Sequence, residues 1–316
     1  MFCKEKLLRG VQKACRKGKE NTMQKSTGRK IFLGINGILI TIITLSCLVP
    51  VINVLAISFS SSEAIMANKV GLLPVNFTVD AYEYVMKNKK FWDAAMISLE
   101  RVVLGVPISL VLTMMAAYPL SKDELRFPER KWYTVYYIIP MVFGGGLIPT
   151  YYVISKLHLI DTIWALVLPS AVNIFNVVLV MNFFRNIPGE LEESAMLDGA
   201  SQWTILTRIY LPLSKPSVAT ITLFCVVFQW NSWFDGLIYS NYTAHYPLQS
   251  YLQTIVTSTK EAVLEGDVTT IMKMLNLNSQ NIKSAQIFIA MLPLLVVYPF
   301  LQNYFTSGLT LGSVKG

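Results

Sequence analysis

Residues 193–212 read ESAMLDGASQWTILTRIYLP, a polar stretch between two greasy ones. Its acids, central glycine and Leu-Pro stop are not the parts of a catalytic centre. They are the parts of a stiff, hinged contact surface. From Pro188 onward, IPGELEESAMLDG predicts a short helix. Proline is tolerated near a helix start, and Glu190, Glu192 and Glu193 sit toward the positive end of the dipole. Gly199 supplies a stop that accepts a left-handed backbone. Ser201 is placed to cap a second helix, along which Trp203, Leu206 and Tyr210 recur at helical spacing. Pro212 ends that helix and Pro216 opens the next apolar run. Two helices joined at a glycine can pass on force, which a floppy loop cannot. The pattern also fits two amphipathic helices resting on lipid. Against that, Glu190, Glu192, Glu193 and Asp198 make the first helix acidic, whereas anionic headgroups favour lysine.

The other reactive residue types form no comparable constellation. No G-x-x-x-x-G-K-[ST], G-x-S-x-G or H-E-x-x-H occurs. FGGGLIP, at 143–149, lies inside an apolar run, where glycines suit close helix contact or a helix break better than phosphate binding. His158 and His245 fall in separate loops. Cys3 and Cys15 fall in the N-terminal tail, and Cys47 and Cys225 in apolar runs. No metal site, disulfide or catalytic residue is therefore assigned.

What must position the polar stretch is a membrane. Of 316 residues, 53% are hydrophobic and 15% charged, too apolar for an ordinary soluble domain. A helical span needs about 20 apolar residues. Six charge-free runs qualify: Ile31 to Leu55, Val102 to Leu120, Trp132 to Ser155, Thr162 to Phe184, Pro216 to Phe234, and Ser284 to Phe305. The second and fifth borrow from their flanks to make 96–120 and 216–237. A seventh stretch, Gly236 to Thr259, is rejected because Asn241, His245, Pro247, Gln249 and Gln253 break it. Open strands cannot cross lipid, so the expected fold is all-α with six transmembrane helices.

Lys and Arg give the orientation. With the N-terminus inside, ten precede the first span, four lie between the second and third, three between the fourth and fifth, and one follows the last. The outer segments hold four, one and three. Both termini are thus expected in the cytoplasm, with 188–212 on the same side. The net charge of +8 is a topology signal and implies no nucleic acid. Residues 1–30 read as a basic tail ahead of an uncleaved first helix, with Met23 as an alternative start. Residues 31–316 form the membrane domain. Glu100 and Arg101 are expected at the outer interface or in a wet vestibule; adjacent residues on a helix do not face each other. With so little intramembrane charge, any transport must draw its energy from elsewhere.

The spacing E-x-A-x3-G-x9-I-x-L-P, here Glu193, Ala195, Gly199, Ile209, Leu211 and Pro212, resembles the "EAA" signature of ABC-importer permease subunits. Ser194 stands where the family often has alanine. LPLSKP, AAYPLS and GLTLGSVKG look like the carbohydrate, maltose-permease-like branch. FGGGLIPTYYV, QWNSWFDGLIY and YPLQ look like its polysaccharide and oligosaccharide members. The resemblance implies a type I ABC-importer permease fold in the plasma (cell inner) membrane. It implies a second homologous permease, two ABC ATPase subunits that use ATP and Mg, and an extracytoplasmic solute-binding protein. This chain would bind no cofactor and would not be an enzyme. Glu193, Ser194, Ala195, Asp198, Gly199, Ile209, Leu211 and Pro212 would form the contact with the ATPase. The substrate pathway would draw on Gln229, Trp230, Asn231, Trp233 and Asp235 in span five and on Asn173 and Asn176 in span four. Gln229 and Trp233 would share a face at i, i+4. Packing and interfacial aromatics remain the alternative for these residues. Loops 60–93 and 236–283 are candidate docking surfaces for the binding protein. The cargo is expected to be an oligosaccharide, with a modified sugar, a polyol or another solute as alternatives. A membrane enzyme or sensor is a further alternative, although no nucleophile, metal ligands or attached signalling domain is visible.

Overall fold

The computed structural model describes residues 27–123, 125–255 and 280–313, with the backbone alone at residues 27, 30 and 300–313. The tail before Thr27, with Cys3, Cys15 and Met23, lies outside the described residues. So do 256–279, within the candidate docking stretch 236–283, and the last three residues.

Helix α1 (Thr27–Ser58) covers the first apolar run and contains Pro50. Its side chains from Ile31 to Ile52 are exposed, an apolar surface suited to lipid or to another subunit. Short helices α2 (Ser62–Met66) and α3 (Asp80–Lys87) follow, α2 being capped by the Ser61 hydroxyl, which accepts from the Ala64 N–H at 3.3 Å. Helix α4 (Lys89–Ser121) has 33 residues, hence a length of about 50 Å. That exceeds a hydrocarbon core of about 30 Å, so α4 is long enough to extend beyond it.

The run at 132–155 is not one helix. It divides into α5 (Arg130–Val142) and α6 (Leu147–Lys156), bent by 113°. Pro140 removes a ladder hydrogen bond near the end of α5, and Gly146, at φ +82°, takes a backbone that other residues resist. The fourth run also bends, by 47°, between Ile163–Ser170 (α7) and Ile174–Arg185 (α8). Asn173 lies at that bend, its side-chain oxygen accepting from the N–H groups of Phe175 and Asn176. Next come α9 (Gly189–Leu197), α10 (Gln202–Leu213), α11 (Lys215–Asn231) and α12 (Phe234–Tyr239). The fifth run is thus broken at Ser232–Trp233, so Gln229 and Trp233 do not share one helical face. After a turn at Thr243–His245 and helical residues 248–255, α13 (Gln280–Ser313) completes the chain and packs on α1 and α11.

Among the described residues, Ile31–Ser58, Lys89–Ser121 and Gln280–Pro299 are long and apolar enough to cross a membrane alone. The pairs α5–α6, α7–α8 and α10–α11 pass the same test only as bent units. Helix contacts in lipid gain little from water exclusion, so packing and polar contacts must hold them. One cluster does this at one end of the helices: Ala117, Tyr118 and Leu120 of α4 meet Val180 and Phe184 of α8, Leu206 and Tyr210 of α10, and Ile221 of α11. A second joins α3, the start of α4, Trp230, Leu248 and Ala285 toward the other end.

Candidate functional site

Two sites emerge, one at each polar constellation. The first is an elbow formed by α9 and α10. Pro188 precedes α9, and the helix ends in a two-bond lock: the Ala200 N–H donates to the Ala195 carbonyl at 2.9 Å and the Gly199 N–H to that of Met196 at 3.0 Å. That lock requires a left-handed residue at 199, and Gly199 has φ +78°. The Ser201 hydroxyl then caps α10 by accepting from the Thr204 N–H. Residues Leu206–Tyr210 form a π-helical turn before Pro212, an irregularity common at functional positions.

The elbow has a wet face and a fixed face. Glu190, Glu193, Ser194, Asp198 and Gly199 are exposed, as are Leu197 and Trp203. Ala195 is half-buried where the two faces meet, and Ile209 and Leu211 pack against the cluster of α4, α8, α10 and α11. Glu192 points inward and is 2% exposed. Its Oε2 receives Lys122 Nζ at 2.7 Å and the Tyr210 hydroxyl at 2.7 Å, with Arg126 Nη1 at 3.2 Å. Lys122 also donates to the Tyr210 hydroxyl at 3.1 Å and lies over the rings of Tyr118 and Tyr210. Burial alone would raise the Glu192 pKa. The hydrogen bonds from Lys122 and Tyr210 and the charges of Lys122 and Arg126 outweigh it, so the carboxyl is held below its ordinary range and stays ionised. Burial lowers the Lys122 pKa, and Glu192 offsets part of that shift.

The second site lies among α4, α7, α8 and α11. A cavity of about 220 Å³ is lined by Ser109, Ser170, Asn173, Asn176 and Gln229, with Phe175, Phe224, Phe228 and Cys225. Its wall offers hydroxyls, amides and aromatic faces and, among the described residues, no charged side chain. Beside it stands Arg101, with 0% exposure. Its Nε donates to Gln229 Oε1 at 2.8 Å, and Nη1 and Nη2 pair with the Asp235 carboxylate. Nη2 also donates to the Leu166 carbonyl at 3.1 Å. A guanidinium only donates, so it fixes the Gln229 amide with its oxygen toward Arg101 and its NH₂ toward Ser170 and the cavity. Gly105 leaves room for this: a Cβ there would lie 2.8 Å from Gln229 Nε2.

The chain matches, over residues 23–311, the family described as "Binding-protein-dependent transport system inner membrane component". It belongs to that family. It is 39% identical over 272 residues to the polygalacturonan/rhamnogalacturonan transport system permease protein YtcP of Bacillus subtilis (strain 168), covering 86% of this chain and 94% of that one. It is 38% identical over 296 residues to Protein LplC of the same strain, covering 94% and 99%. Among solved structures it is similar to a chain of a bacterial ABC transporter that imports the acidic polysaccharide alginate, with TM-score 0.79 and 33% identity over 89% of this chain and 98% of that one. This is the permease family whose signature the elbow resembles.

The structure distributes the permease's candidate residues unevenly. Gln229, Asn173 and Asn176 come together on the cavity wall. Trp230 does not; its indole donates to the Ala290 carbonyl at 3.0 Å and packs α11 on α13. Asn231 and Trp233 are exposed around the helix break, and Asp235 serves Arg101. Arg101 was expected at the outer interface or in a wet vestibule and is instead buried and paired. Its partner lies 134 residues away, a contact that no local pattern encodes. Glu100 stays exposed, in a cleft beside Asp161 and His245. Glu193, expected in the contact with the ATPase, pairs with Arg126 of its own chain at 2.6 Å. Sequence reasoning missed Lys122 and Arg126, placed Tyr210 only on the face of a helix, and treated Glu192 as merely one acid of four. The available signal was a lysine directly after an apolar run.

Proposed function

We propose that this permease lines the pathway of an ATP-binding-cassette importer for a carbohydrate, in particular an oligosaccharide. A separate pair of ATPase subunits, using ATP and Mg, would drive it through the elbow. A second homologous permease would complete the pathway, and an extracytoplasmic binding protein would deliver cargo; a bacterial alginate ABC transporter has been solved in complex with an alginate pentasaccharide-bound periplasmic protein. Six spans with both termini in the cytoplasm place the elbow on the ATPase side. The observation that carries this reading is the elbow itself, in which the signature spacing coincides with two capped helices turned at a left-handed Gly199. Glu193, Ser194, Asp198 and Gly199 form the docking face, and Ile209, Leu211 and Pro212 tie it to α11.

The test is a cysteine at position 195 in the purified complex. Ala195→Cys is expected to cross-link to an ATPase subunit that copurifies with a second permease. An elbow reached only by reagents from outside the cell would refute the coupling role.

For the pathway we take Gln229, Asn173 and Asn176 as contact residues, with Trp233 and Asn231 at the outer approach and Trp230 and Asp235 as support. Sugar hydroxyls suit the amide-rich wall, and Phe228 offers an apolar ring face. Relatives named for polygalacturonan and alginate carry acidic cargo. An acidic cargo here would find its cations on other parts of the assembly. Gln229→Ala is expected to raise the KM for uptake by about tenfold, the effect of one hydrogen bond of about 1.4 kcal/mol, with assembly intact. Parental uptake kinetics would reduce Gln229 to a packing residue.

A further inference from the structure

The exposed acid of the elbow is Glu193, yet the acid bound to a membrane helix is Glu192. Its carboxylate is gripped by Lys122, which ends α4, and by the Tyr210 hydroxyl from α10. Tyr118, one turn before Lys122, donates to Gln202 Oε1 at 2.6 Å, so both arms of the elbow are tied to the same end of α4. Arg126 bridges Glu192 to Glu193 and so links the buried pair to the exposed face. Apolar contacts slide at little cost, but charge-assisted hydrogen bonds among buried groups are directional and resist separation. Higher on α4, Ser109 lines the cavity, about 20 Å from Lys122 along the helix.

We propose that the Lys122–Glu192 pair is the joint that makes the elbow and the inner end of α4 move as one body. Glu192 is then a positioning residue for transport. A push on the elbow reaches α4 directly as well as through α11, and the cavity wall at Ser109 responds. This rests on the coupling role proposed above.

The test uses the reconstituted complex with its four native cysteines replaced. A Ser109→Cys reporter is labelled with a maleimide, first without nucleotide and then after vanadate trapping. In the parent, trapping is expected to change the labelling rate by about threefold or more. Glu192→Gln and Lys122→Met should keep the Ala195→Cys cross-link to the ATPase but abolish most of that change. Lys122→Arg, which keeps the charge, should preserve it, and the exchange Lys122→Glu with Glu192→Lys should restore it. A full response in Glu192→Gln, or none in the parent, overturns the joint. So does Lys122→Arg behaving like Lys122→Met. Loss of the Ala195→Cys cross-link from the parent removes the coupling role instead.

Discussion

Asp235→Ala is expected to leave little folded permease in the membrane. Arg101 is fully buried, and Asp235 is the carboxylate that neutralises it. Removing one member of a buried ion pair leaves an uncompensated charge and costs about 3–5 kcal/mol, a large part of a domain's stability of about 5–15 kcal/mol. The cost falls at a vulnerable place. Through Arg101, α4 holds Gln229 of α11, the Leu166 carbonyl of α7 and Asp235 of α12, so the guanidinium bridges the helix break at Ser232–Trp233. Asp235→Asn keeps an acceptor but not the charge, and should be intermediate. The double variant Arg101→Met with Asp235→Leu removes both charges and should accumulate better than Asp235→Ala, because no orphaned ion remains. Membrane-fraction yield and the thermal midpoint in detergent measure all three. A parental yield and midpoint for Asp235→Ala would mean that water or lipid headgroups reach Arg101.

The elbow is legible in the sequence because each of its turns has a local cause. Pro188, Gly199, Ser201 and Pro212 act within a few residues of themselves, and a reader needs no tertiary contact to place them. The cavity is legible only in part. Gln229, Asn173 and Asn176 declare themselves as amides in apolar runs, but the same rule also selects Trp230 and Asp235, which face other helices. Composition says that a side chain is polar; only packing decides whether it faces a pathway or a neighbour. Glu192 and Glu193 show the limit most plainly. They are adjacent and chemically near-identical, yet one is 2% exposed and the other meets solvent, because a one-residue step on a helix turns the side chain by about 100°. Which of them faces α4 depends on how α9 is rolled against the cluster of α4, α8, α10 and α11. The breaks in the third and fifth runs are a further case. Charge-free runs set a length but not a direction, and Pro140 with Gly146 bends the third run by 113°.

Gly199→Asp is expected to uncouple the permease without unfolding it. Two effects of the substitution need separating. The backbone effect is small, because aspartate and asparagine tolerate the left-handed region better than other non-glycine residues, and a Cβ at 199 meets nothing within 4 Å. The thermal midpoint should therefore fall by less than about 4 °C, and Gly199→Asn should match it. The surface effect is large. Position 199 is exposed at the tip of a face that already carries Glu190, Glu193 and Asp198, so a fourth carboxylate there adds bulk and charge where a partner would have to approach closely. Uptake and ATP hydrolysis stimulated by loaded binding protein should both drop by more than about tenfold for Gly199→Asp, as for a central contact residue, and less for the neutral Gly199→Asn. Equal loss in both variants would assign the defect to shape alone. Unchanged uptake and hydrolysis in Gly199→Asp would show that no partner reads this turn, and the elbow would then be a lipid-surface element whose acids serve only solubility.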